Sequence, residues 1–114
     1  MTPAERLRAL EEKVLERPDD AFPRYGLAMC YRSLGRAEEA VSAFEELRRR
    51  HPDYVPTYLM LGQVLSSLGR VDEAVRAFEA GVALAAKKLD RHAEGELARA
   101  LEELRSEAAG SRGP

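Results

Sequence analysis

The strongest constraint on this chain is a stretch that occurs twice. Ser33-Leu34-Gly35-Arg36-Ala37-Glu38-Glu39-Ala40-Val41-Ser42-Ala43-Phe44-Glu45 returns as Ser67-Leu68-Gly69-Arg70-Val71-Asp72-Glu73-Ala74-Val75-Arg76-Ala77-Phe78-Glu79. Gly35 to Gly69 is a step of 34 residues, and Ala40/Ala74 and Phe44/Phe78 keep it. A fixed period of this length marks an array of stacked helix pairs, because one pair alone cannot bury its apolar face.

Read in order, the chain predicts six helices and no strand. Thr2-Pro3-Ala4-Glu5 is a helix start, with Thr2 as cap, Pro3 at the first helical position and Glu5 where a capping box needs it. Leu7, Leu10 and Val14 form one stripe, and Pro18 ends the helix. These positions match Val41, Phe44, Arg48 and Pro52 one period later, so residues 1–18 read as the second half of an incomplete repeat. Arg6 stands where Ala40 and Ala74 stand, as expected if no helix precedes it to demand a small side chain. Asp19 or Asp20 caps a helix over about 20–34, which Gly35 ends; the next, about 38–50, stops at Pro52. Helices over about 54–68 and 72–87 repeat the cycle. Ala86 replaces proline, so the second of these runs longer. A last helix over about 91–108 opens at Asp90, and its Leu97-Ala98, Leu101 and Leu104 match Leu61-Gly62, Leu65 and Leu68 at a step of 36. Residues 109–114 read as a disordered tail.

These residues resemble the tetratricopeptide repeat family, whose helix-turn-helix unit carries a large residue, Leu-Gly, Tyr, Gly, Ala, Phe, Ala and Pro at fixed offsets. The repeat over 21–54 matches at Leu27, Ala28, Tyr31, Gly35, Ala40, Phe44 and Pro52. The repeat over 55–88 matches at Tyr58, Leu61, Gly62, Leu65, Gly69, Ala74 and Phe78. Arg24, Leu47, Gly81 and Ala86 depart from the pattern. The resemblance implies an all-α fold, an α–α superhelix (a right-handed solenoid) of stacked antiparallel helix pairs. It gives one domain over 1–108, with 90–108 as a C-terminal capping helix.

The family's members are adaptors whose first helices line a groove that holds a peptide, an extended segment or a helix of another protein. In that register the groove has Phe22, Tyr25, Met29 and Arg32 from one repeat and Leu59, Met60 and Gln63 from the next, with Arg99 from the last helix. Pro56, Ser66, His92, Glu96 and Glu102 lie alongside. Tyr31 and Tyr58 fall at core positions. Some members clamp a partner's terminal carboxylate with lysine and asparagine; here those positions hold Tyr25 and Met29, then Leu59 and Gln63, so no clamp is expected.

Other activities find little support in the residues. The net charge of −2 gives no pull towards nucleic acid or anionic membrane, and no run is apolar enough for a leader or a span. His51 and His92 have no cysteine or acidic cluster at metal-ligand spacing, so no metal and no cofactor is expected. Cys30 is the only cysteine, which excludes an intrachain disulfide and fits a cytoplasmic protein. It sits on the repeat-packing side of its helix. Without strands there is no phosphate-binding loop after a strand, and an enzyme is not expected. The expected partner is another protein. The competing expectation is a homo-oligomer that associates through its two terminal half repeats.

Overall fold

In the computed structural model, residues 1–111 are described. They form six α-helices and, among the described residues, no strand: α1 (Pro3–Glu16), α2 (Ala21–Ser33), α3 (Ala37–Arg50), α4 (Pro56–Ser67), α5 (Val71–Lys87) and α6 (Arg91–Ser111). They group into two compact units, Met1–Thr57 and Tyr58–Pro114. One domain over 1–108 was expected; in a repeat array contacts are made with sequence neighbours, which is why such grouping arises.

In the first unit α1 and α3 both pack on α2. The Thr2 hydroxyl accepts from the Glu5 amide at 3.1 Å, and the Asp20 carboxylate accepts from the Phe22 amide at 3.0 Å. Each cap satisfies a backbone donor that the helix start leaves open. Ala28, Ala40, Phe44 and Leu47 are fully buried where α2 meets α3. Small alanines let the two backbones approach, and Phe44 fills the space between them. Gly35 ends α2 with φ +74°, a conformation that glycine adopts without strain.

The second unit repeats the design more tightly. Gly62 of α4 is buried directly against the ring of Phe78 on α5. Gly81 of α5 leaves room for Tyr58 and Leu97; a β-carbon there would lie 2.6 Å from Tyr58 Cβ and 2.8 Å from Leu97 Cδ2. Leu61, Val64, Leu65, Ala77, Ala85 and Leu104 complete the core. Gly69 ends α4 with φ +76°. With Ala86 in place of proline, α5 reaches 17 residues against 14 for α3.

Two expectations change. Pro56 occupies the first position of α4, so that helix starts later than 54. The tail expected over 109–114 is helical through Ser111: Arg105 replaces the stop glycine, and Ala108 and Ala109 favour helix. Residues 112–114 lie outside the described part.

Candidate functional site

The residues expected to form a groove fall into two sets, one in each unit. On α2, Phe22, Tyr25, Met29 and Arg32 share one face, as their spacing requires. Phe22 is 74% exposed, Arg32 is exposed, and Tyr25 and Met29 are half-buried. On α4, Leu59, Met60 and Gln63 are all half-buried. Arg99 is exposed on α6. No charged side chain interrupts α4 between Pro56 and Ser67.

Tyr25, expected as a groove residue, also packs within its own unit. Its ring meets Phe44 edge to face at 6.2 Å between centroids, and Tyr54 at 5.7 Å. Tyr54 follows the turn after α3, and no periodic signal ties it to α2. Burial, then the neighbouring Tyr54, raises the Tyr25 hydroxyl above its usual range, so it is a protonated hydrogen-bond group at neutral pH. Tyr25 therefore holds the first unit together as well as edging its surface.

Sequence reasoning missed a concavity within the first unit. Arg24, Leu27, Tyr31, Glu39, Ser42, Ala43 and Glu46 line an open cleft of about 380 Å³ between α2 and α3. The signal for it was Arg24, which replaces the family's large residue. The guanidinium does not fill that space; its Nε donates to the Pro18 carbonyl at 3.0 Å. Burial lowers the pKa of Arg24, with Arg50 acting the same way. Tyr31 is half-buried, with the Arg36 guanidinium 5.0 Å from its ring centroid. Arg36 also donates twice to Glu39, at 2.6 Å each, which holds that carboxyl below its usual range. Arg70 and Glu73 repeat the fork in the second unit, at 3.2 and 2.6 Å. The cleft thus has a floor of Leu27, Tyr31 and Ala43 edged by Arg24, Glu39 and Glu46, each of which has a hydrogen-bond partner outside the cleft.

Cys30 is buried. His51 caps the C-terminus of α3, and His92 is exposed with Nε2 3.1 Å from Glu96. Among the described residues no three His, Cys, Asp or Glu side chains group to hold a metal ion. Among them, too, no helix is long and apolar enough to cross a membrane.

Residues 32–93 match the tetratricopeptide repeat family. Among curated proteins none matches the sequence. Of solved structures, a tetratricopeptide repeat domain protein from Salinibacter ruber is 34% identical, with a TM-score of 0.72 over 75% of this chain and 97% of that one. PcrH, solved in complex with the chaperone binding region of PopD, is 20% identical, with a TM-score of 0.83 over 90% and 77%. SycD, the type III secretion translocator chaperone of Yersinia enterocolitica, solved as an alternative dimer, is 16% identical with a TM-score of 0.84 over 93% and 81%. At the last two identities the likeness is one of fold.

Proposed function

This chain belongs to the tetratricopeptide repeat family, and from that premise we propose that it is an adaptor holding a peptide or helical segment of another protein against its first helices. The observation that carries the reading is α4. Its residues Pro56–Ser67 include no charge, yet Leu59 and Met60 remain half-exposed. Adjacent apolar side chains left partly exposed on an uncharged helix support a binding surface. Phe22 on α2 adds an exposed aromatic anchor, and methionines adapt to varied apolar partners. Arg32, Gln63 and Arg99 supply donors for an acidic neighbour of the apolar anchors. PcrH, a solved structure of similar fold, was determined in complex with the chaperone binding region of PopD, which supports the reading. The role is binding rather than catalysis, and a cytoplasmic setting fits it.

The test is a peptide selected against the protein from a random display library, followed by amide chemical-shift mapping. The expected shifts centre on Phe22, Met29, Leu59, Met60 and Gln63. Phe22→Ala should weaken binding by about thirtyfold, the effect of losing roughly 2 kcal/mol at an aromatic hot spot. Its unfolding midpoint should stay put, because the ring is 74% exposed. Shifts confined to α3 and α5 would move recognition off the first helices and sink the proposal.

A further inference from the structure

The two terminal helices are opposite halves of one repeat, and the second unit shows how such halves fit. There Tyr58 of α4 meets Gly81 of α5, and Gly62 meets Phe78. The positions matching α4 on α6 lie 36 residues later: Glu94 for Tyr58 and Ala98 for Gly62. Those matching α5 on α1 lie 68 residues earlier: Lys13 for Gly81 and Leu10 for Phe78. Carried across, the first contact becomes an acid facing a base, and the second a small residue facing a large apolar one.

Burial shows that these positions lack their cover. Gly62 is buried, while Ala98 is exposed. Phe44 and Phe78 are sealed by their own first helices, while Leu10 is half-buried although it packs on α2 beside Gly26. Leu104 is 6% exposed in a cleft it shares with Gln63 and Ser66 of α4. Leu34, its counterpart on α2, is 36% exposed and has no preceding first helix.

We propose that α6 of one copy docks antiparallel on α1 of a second copy, with Glu94 against Lys13 and Ala98 against Leu10. Arg6 continues the basic face of α1 beyond Leu10, and Glu102 continues the acidic face of α6 beyond Ala98. The antiparallel setting places these two together as well. Lys13 already reaches Glu16 at 3.7 Å, but both side chains are more than half exposed and free to exchange partners. The contact is head to tail, so a pair of copies keeps one free α1 and one free α6, to which further copies can add. One helix pair is a small interface, which makes the association weak and salt-sensitive. It does not depend on the groove reading.

The experiment is sedimentation equilibrium of the full chain at low salt, from about 10 µM to about 1 mM. The wild type should associate with rising concentration. Lys13→Glu and Glu94→Lys should each weaken association by about tenfold or more, since each sets like charges across the contact. Mixing the two variants should restore it, because every contact between unlike variants then pairs a lysine with a glutamate. Ala98→Arg should block it outright, and circular dichroism should show all variants folded. A wild type that stays monomeric over this range overturns the proposal and leaves the α1 face to a different protein. Association untouched by the charge reversals, or not rescued by mixing them, overturns the register.

Discussion

Gly62 lies against the ring of Phe78, and a β-carbon at position 62 would overlap three atoms of that ring. The ring is 2% exposed and cannot swing into solvent. The close approach of α4 and α5 therefore depends on a residue that is a poor helix former.

Helix propensity alone would favour Gly62→Ala by about 1 kcal/mol. The overlap should reverse the sign and cost about 1–3 kcal/mol, and Gly62→Leu should cost more. Urea titration measures both. An alanine variant more stable than the wild type would mean that the two helices are not in contact at this point.

Phe44 holds the same station in the first unit and is fully buried, so Phe44→Ala should cost about 3–5 kcal/mol. Its edge-to-face contact with Tyr25 gives a second expectation. A double-mutant cycle between Tyr25→Ala and Phe44→Leu should show a coupling of about 0.5–1.5 kcal/mol. No coupling would return Tyr25 to the surface alone.

Much of this was legible in the sequence because the period does the work of a template. Gly35 and Gly69 were readable as helix ends, and their φ angles of +74° and +76° are those of such ends. Arg6 in place of Ala40 marked α1 as a helix without its pair. The contact of Tyr25 with Tyr54 was not legible, since it joins a helix to a residue beyond a turn, where no period applies. Arg24 was noticed as a departure. That it would leave a cleft depended on where its guanidinium goes, which spacing does not encode.

Glu46 couples stability to pH. Arg49 donates to its two oxygens at 3.1 and 2.5 Å, and Arg50 adds a bond at 2.7 Å. These hydrogen bonds, that of Arg49 foremost, hold the carboxyl at about 2, against an ordinary 4.5. The folded chain takes up this proton less readily than the unfolded one. The pair therefore contributes stability above pH 4.5 and loses it as pH falls through about 2. The groups are solvent-exposed, so the contribution is small and screened by salt. Between about pH 5 and pH 2 the wild type should lose stability faster than Glu46→Gln, and about 1 M salt should narrow the gap. Parallel slopes at low salt would show that the hydrogen bonds do not persist in solution.

Leu89 does the work of a glycine. The Leu89 amide donates to the Ala86 carbonyl at 3.1 Å and the Asp90 amide to Ala85 at 2.9 Å. Gly35 with Arg36, and Gly69 with Arg70, make the same two bonds at the ends of α2 and α4. This is the helix stop in which one residue turns left-handed so that the last carbonyls find donors. Leu89 holds φ +59°, where a β-carbon crowds the following carbonyl at a cost of about 1–2 kcal/mol. Its side chain is 77% exposed, so little burial offsets that strain. Leu89→Gly removes it but gives the unfolded chain more freedom, worth about 0.4–1 kcal/mol in the other direction. The net expectation is a gain of up to about 1 kcal/mol, while Leu89→Val should destabilise because a β-branched residue tolerates positive φ least. Thermal and urea unfolding of the three proteins should rank Gly above Leu above Val. A glycine variant less stable than the wild type would mean that α5 ends in a different conformation in solution, or that Leu89 is covered there.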